Sequence, residues 1–160
     1  MSRVLVAVGA LATSLLVISC GRAADGTPTL QVRDAWMAQP AGPNASIHLT
    51  IANPSGSPDR LLGASAPFAA RVELHETVTE GGRTMMRPVG RIPVPAHSTV
   101  RLAQGGVHLM LFDVEPGITE GQRLSVRLRF AEAGARSVTV AVRPMGATGA
   151  GDTTHHEGHP

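Results

Sequence analysis

Val107-His108-Leu109-Met110-Leu111-Phe112 alternates aliphatic residues with histidine, methionine and phenylalanine. Side chains of a β-strand point to opposite faces in turn, so positions 107, 109 and 111 share one face. That aliphatic face belongs in a core. The opposite face presents His108 and Met110, a nitrogen and a sulfur donor two residues apart. The segment therefore predicts a half-buried strand that carries candidate metal ligands.

The chain around this segment has the pattern of an all-β protein. Between residues 29 and 145, short apolar runs alternate with turn signals such as Pro93-Val94-Pro95, and the chain contains 18 Gly and 12 Pro. This spacing is typical of a β-sandwich or a small Greek-key barrel. The predicted strands are 30–37, 45–52, 60–66, 71–79, 84–89, 99–103, 107–114, 122–130 and 136–143.

The first residues predict export. A positive residue precedes a continuous apolar run, which ends in Val17-Ile18-Ser19-Cys20, similar to the bacterial lipobox. Residues 1–19 are then a lipoprotein signal peptide, and Cys20 becomes the lipid-bearing first residue. The alternative is a plain secretory signal cut after Ala23 or Ala24.

The organisation expected after the signal is simple. Residues 20–28 form a polar tether, 29–145 a single domain, and 146–160 a disordered tail that contains histidines. Cys20 is the one cysteine of the chain, so the domain has no thiolate for a blue-copper centre. No pattern of hydrolytic residues stands out, and we expect no enzyme activity. The charge of +2 is slight, and the scattered arginines predict no binding to nucleic acid.

Two further donors come from the predicted hairpin that precedes residues 107–112. Alternation places His75 on the outward face of its strand, together with Glu73 and Thr77. Met85 and Met86 follow after the Gly81-Gly82 turn and must point to opposite faces, so one of them can join His75. Two imidazoles and two thioethers are neutral, soft donors that suit Cu(I).

These residues carry a resemblance to the PCu(A)C family of extracytoplasmic copper chaperones. The family pattern is His, ten residues, Met, twenty-one residues, His-x-Met, and His75, Met86, His108 and Met110 fit every spacing. The resemblance selects Met86 over Met85. It extends over motifs along much of the chain: Asp34-Ala35-Trp36, Asp59-Arg60-Leu61, Val72-Glu73-Leu74-His75-Glu76, Met86-Arg87-Pro88-Val89, Ile92-Pro93-Val94-Pro95-Ala96 and residues 105–111.

The resemblance implies a fold and a function. The fold is a cupredoxin-like Greek-key barrel, and the activity is Cu(I) carriage to the CuA centre of cytochrome c oxidase, often alongside a Sco-type protein. The implied location is the outer face of the cytoplasmic membrane, through the lipid anchor. One departure is Glu76, where the family often has Met; alternation points this residue away from the metal. The alternative function is copper sequestration or resistance without delivery.

Four further donors lie near the end of the chain. Met145, His155, His156 and His159 are expected to form a second site for Cu(II), because the tail is rich in imidazole and is expected to be flexible. His48 is expected to be exposed or hydrogen-bonded, opposite its aliphatic neighbours; the alternative is a role as a ligand. Trp36 is expected to lie in the core; the alternative is a lid over the metal.

Overall fold

The computed structural model describes residues 29–147, which form ten β-strands and, within that range, no helix. Cys20, with the predicted signal peptide, and the tail histidines His155, His156 and His159 lie outside the described residues. The strands are β1 Gln31–Ala38, β2 Ala45–Asn53, β3 Asp59–Ser65, β4 Ala69–Glu80, β5 Arg83–Pro88, β6 Ile92–Val94, β7 Ser98–Leu102, β8 Val107–Val114, β9 Arg123–Phe130 and β10 Ala135–Arg143.

The strands form one hydrogen-bonded sheet in the order β5-β4-β8-β2-β1-β10-β9-β3-β6, and β7 pairs with β2. Strands β1 and β10 are parallel, whereas the other pairs are antiparallel. β2 pairs with β8 through its first residues and with β7 through its last residues. Strands β5, β4, β8, β2 and β1 are consecutive in this order, and their outward faces build the candidate site.

One aliphatic core fills the inside of the sheet. Leu109 and Leu111 of β8 are fully buried in it, as alternation along that strand predicted. Aromatic residues are few in this chain, and only Phe68 and Phe130 represent them in the core cluster of the described residues. Burial of branched aliphatic side chains, at about 25 cal/mol per Å² of apolar surface, is thus the main stabilising contribution.

Nine of the ten strands agree with the sequence prediction to within two residues at each end. The tenth is a correction, because the predicted break at Pro93-Val94-Pro95 is wrong. Ile92–Val94 is a short strand, β6, whose residues pair with the start of β3. Proline cannot donate to a sheet ladder, but β6 is the edge of the sheet, where one side needs no donor. Ile92 and Val94 point into the core and Pro93 is exposed.

A buried carboxylate fastens the β9–β10 turn to β3. Asp59 accepts hydrogen bonds from the backbone amides of Arg60 (2.7 Å), Glu132 (2.9 Å) and Ala133 (2.9 Å). Burial alone would raise the pKa of Asp59, but these backbone donors outweigh it and hold the pKa below its ordinary value.

Among residues 29–147, no helix is long and apolar enough to cross a membrane.

Candidate metal centre

The two histidines predicted from the sequence are direct cross-strand partners. β4 and β8 are antiparallel, and His75 stands opposite His108, with ring centroids 6.1 Å apart. Residues opposite each other on neighbouring strands share a face of the sheet. Met110 shares that face because it is two residues after His108, and it stands opposite Glu73. The structure therefore brings His75, His108 and Met110 onto one face.

Strand register also places the two methionines of β5. Thr77 stands opposite Met86 and Val78 opposite Met85. Since Thr77 is two residues after His75, Met86 lies on the histidine face and Met85 on the other. The Met86 side chain is 56% exposed, on the strand at the edge of the sheet.

Hydrogen bonds leave each of these histidines one nitrogen with a free lone pair. Nε2–H of His75 donates to the Glu73 carboxylate (2.9 Å), which also accepts from Arg71 Nε (2.6 Å). Nδ1–H of His108 donates to the carbonyl oxygen of Gly106 (3.0 Å). His75 Nδ1 and His108 Nε2 remain buried without a partner. In metal-binding histidines, a hydrogen bond from the ring nitrogen that does not bind the metal fixes the tautomer and the ring orientation.

Glu73 is the charged member of this arrangement. The hydrogen bond from His75, helped by the nearby Arg71 guanidinium and opposed by burial, holds the pKa of Glu73 below its ordinary value. The carboxylate is therefore ionised at neutral pH and accepts the hydrogen bond from Nε2–H of His75. Glu76 faces the other side of β4 and pairs with Arg87 at 2.6 Å, which agrees with its expected absence from the metal face.

His48 is more buried than the sequence predicted. It was expected to be exposed or hydrogen-bonded, but the side chain is 9% exposed and its Nδ1 is buried without a partner. Its ring lies 6.5 Å from that of His108. Burial first, and then the charge of His108, lower the pKa of His48. Alternation along β2 correctly predicted that His48 lies on the outward face. It could not predict that β8, with His108, is the neighbouring strand, because that depends on sheet order.

Trp36 is buried, but it packs on the polar face instead of in the aliphatic core. Its ring lies 4.6 Å from that of His48, and the Arg143 guanidinium covers it at 4.6 Å. A β-bulge between Arg33 and Trp36, where Asp34 has a φ of 55°, sets Trp36 opposite His48. The expected burial of Trp36 is confirmed, although the bulge, which inserts one residue, sets the ring against His48 and outside the aliphatic core cluster.

A pocket of about 430 Å³ opens beside these side chains. Its walls include Trp36, Ser46, His48, Met86, Gln104 and His108. The Ser46 hydroxyl donates to the sulfur of Met110 at 3.8 Å. The histidine rings are covered, whereas Met86 is the exposed donor. Met145, a predicted member of a second site, is 62% exposed after β10.

The side chains as they stand are not gathered around a single point. In residues 29–147, no three or more side chains of His, Cys, Asp and Glu are close enough to hold one metal ion. A site on this face therefore uses the thioethers or requires the histidine rings to turn. Two imidazoles bound to one ion have ring centres at most about 6.4 Å apart, given metal–nitrogen bonds of about 2 Å. The His75–His108 pair already lies within that limit.

The fold identifies the class of protein: it is that of PCuAC domains. The chain aligns with the copper-bound PCuAC domain from PmoF2 at a TM-score of 0.62 and 24% identity, covering 72% of this chain and 92% of that domain. The Cu(I) form of DR1885 from Deinococcus radiodurans aligns at 0.58 and 25% identity, covering 78% and 83%. The predicted all-β, cupredoxin-like fold and the resemblance to PCu(A)C proteins are confirmed.

Within that class the chain belongs to the LpqE-like family. Residues 30–142 match the family described as "Putative lipoprotein LpqE-like". A relative named "Putative lipoprotein Lxx21020", from Leifsonia xyli subsp. xyli (strain CTCB07), is 34% identical over 124 residues, which are 77% of this chain and 73% of the relative.

Proposed function

We propose that this protein is an exported copper carrier that holds Cu(I) with His75, Met86, His108 and Met110. One observation carries the proposal: His75 and His108 are cross-strand partners, and each keeps one buried, unpartnered nitrogen. The two methionines lie on the same face. The site thus offers two nitrogens and two sulfurs, all of them uncharged.

The donor chemistry favours the monovalent ion. Thioether sulfur is a soft ligand that selects Cu(I), and imidazole binds copper in either oxidation state. Four neutral donors leave the single positive charge of Cu(I) uncompensated, so the ion can be released to a thiolate-rich acceptor. The likeness to the Cu(I) form of DR1885 supports this assignment.

Met86 has the position that copper transfer needs. Its side chain is the exposed donor, on the edge strand and at the rim of the pocket, whereas both histidines are covered. An acceptor can displace this weak ligand first and then take the ion from the histidines. We propose that the acceptor is the CuA subunit of cytochrome c oxidase, with a Sco-type protein as a second partner. The protein is then a carrier and not a catalyst.

The proposed location is the outer face of the cytoplasmic membrane. Cys20 lies where a lipobox requires it, and the family and the relative from Leifsonia xyli are named as lipoproteins. In this arrangement residues 20–28 tether the domain of residues 29–145. Met145 and the imidazoles of His155, His156 and His159 form the proposed second site, which takes Cu(II) because imidazole binds copper in that oxidation state.

A matched pair of variants on β5 tests the Cu(I) site. Met86→Leu removes the thioether from the histidine face, whereas Met85→Leu makes the same change on the opposite face. In competition with a Cu(I) chelator under reducing conditions, we expect Met86→Leu and His75→Ala to weaken affinity by at least about tenfold. Met85→Leu should bind as the parent protein does. Equal affinity in all four proteins would refute the site.

A gene deletion tests delivery. Loss of cytochrome c oxidase activity, restored by the parent gene and not by His75→Ala, is the outcome that delivery predicts. Copper sensitivity with normal oxidase activity would instead assign the protein to copper sequestration.

A further inference from the structure

His48 extends the pair of histidines into a row across three strands. β2 pairs with β8 as Ser46 opposite Met110 and Ile47 opposite Leu109. The next residue of β2, His48, therefore stands beside His108, on the face that also carries His75. The ring centroids are 6.1 Å apart for His75 and His108 and 6.5 Å apart for His108 and His48.

Each ring of this row has a buried nitrogen without a hydrogen-bond partner. These atoms are Nδ1 of His48, Nδ1 of His75 and Nε2 of His108, and they are the buried side-chain N and O atoms that lack a partner in residues 29–147. Buried polar atoms in native proteins are nearly always satisfied, so an orphaned one requires an explanation. Three orphaned imidazole nitrogens in adjacent side chains have a common explanation if an ion binds among them.

We infer that His48 joins His75 and His108 in an all-nitrogen site for Cu(II), which overlaps the mixed nitrogen and sulfur site for Cu(I). The inference rests on the proposed function in one respect, because the two sites share His75 and His108. Divalent copper prefers imidazole nitrogen to thioether sulfur, and it binds such sites more tightly than other divalent metals of its row.

Binding of all three rings to one ion requires side-chain movement, because no three of these side chains are close enough to hold a metal ion as they stand in residues 29–147. At about 2 Å per metal–nitrogen bond, ring centres of two ligands lie at most about 6.4 Å apart, and 6.5 Å just exceeds that limit. His108 is the middle ring, so the outer rings of His48 and His75 must turn toward it. Trp36 packs on the other side of His48 at 4.6 Å, and the pocket beside His48 and His108 provides space for the ion.

The protein has a built-in reporter for this site. Trp36 is the single tryptophan of the chain, and its ring contacts His48. A paramagnetic Cu(II) ion held by His48 should quench Trp36 fluorescence. The full exported chain, with His155, His156 and His159 changed to Ser, is titrated with copper sulfate, so that the tail does not compete. Pulsed EPR of the loaded protein then counts the imidazoles bound to Cu(II).

The variants are His48→Gln, His48→Phe and, as control, His97→Asn. His97 is exposed in a turn with a φ of 50°, which Asn tolerates. We expect both His48 variants to lose at least about tenfold in Cu(II) affinity and to show two bound imidazoles instead of three. Their Cu(I) affinity should stay within about threefold of the parent, as should both affinities of His97→Asn.

Three bound imidazoles in His48→Gln, or unchanged Cu(II) affinity in both His48 variants, would overturn the inference. An equal loss of Cu(I) and Cu(II) affinity would also overturn it, because His48 would then only support the pocket. His48→Phe keeps a ring against Trp36, so a folding defect confined to His48→Gln leaves a usable variant. Absence of Cu(I) binding in the parent, with three imidazoles on Cu(II), would reject the proposed function and retain this site.

Discussion

At the scale of single residues, the site depends on which nitrogen of each histidine is free. His75 is held through Nε2 by Glu73, and His108 through Nδ1 by the Gly106 carbonyl oxygen. Identical side chains therefore leave different nitrogens without a partner, Nδ1 in His75 and Nε2 in His108. In the proposed site, Glu73 and the Gly106 carbonyl oxygen fix the orientation of the two imidazoles, as hydrogen-bond partners of metal-binding histidines do.

Glu73→Gln tests this arrangement. Glutamine has the shape of glutamate but lacks the charge that stabilises the Nε2–H tautomer of His75. We expect a loss of about tenfold in Cu(I) affinity, at the lower end of the range for outer-shell changes, measured by chelator competition. Glu76→Gln is the matched control, because Glu76 faces away from the site and pairs with Arg87. If both variants bind like the parent protein, Glu73 does not position His75.

At the scale of strands and turns, the sheet sets distances that the residues cannot set alone. The β-bulge in β1 puts Trp36 opposite His48, and the register of β5 on β4 puts Met86 above the histidine face. Asp59 joins two further elements, since it binds the β9–β10 turn to the start of β3. One carboxylate thus holds the β9–β10 turn against β3, at the end of the strand order that lies away from the site.

Asp59→Asn should destabilise the domain by about 1–3 kcal/mol, because an amide NH₂ replaces an acceptor of the Ala133 amide. Urea denaturation at neutral pH measures this loss. Asp113→Asn is the control: Asp113 is exposed at a φ of 52°, where Asn is tolerated. An equal free energy of unfolding in Asp59→Asn and the parent would contradict the role given to Asp59.

The same carboxylate predicts a pH dependence. The folded-state pKa of Asp59 lies below 3.8, the value for the unfolded chain. Between these two values the unfolded state binds more protons, so stability falls as pH falls. The stabilisation is complete above pH 3.8 and is lost through the lower, folded-state pKa. In acid unfolding followed by circular dichroism, Asp59→Asn should lack this part of the decline, whereas Asp113→Asn should keep it.

At the scale of the whole molecule, metal binding and folding are linked. The proposed Cu(I) donors lie on β4, β5 and β8, so they come together only in the folded sheet. A ligand that binds the folded state alone adds about 2.7 kcal/mol at a free concentration of 100 times its Kd. Cu(I) should therefore raise the Tm of the parent protein by several degrees.

Variants separate this effect from general stability. Met86→Leu should retain the Tm of the metal-free parent, because its side chain is mostly exposed, and should show a smaller rise with Cu(I). Differential scanning calorimetry under anaerobic conditions measures both values. A full rise in Met86→Leu would mean that this thioether is not a ligand.

The sequence by itself determined the strands and the faces of their side chains. Alternation in residues 107–112 and around His75 depends only on the two-residue period of a strand, and it placed both histidines on the outward face. Nine strands followed from apolar runs and turn residues. Strand β6 did not, because proline usually ends a strand and only its place at the sheet edge removes the need for a donor.

Only the tertiary structure decided which outward faces meet. His48 lies some thirty residues before His75 and sixty before His108, and no local period relates them. Sheet order makes β2 the neighbour of β8, and the bulge in β1 adds Trp36. Pairing between distant strands is fixed by packing of the common core, a property of the assembled chain. For that reason the third imidazole becomes visible only in the folded protein.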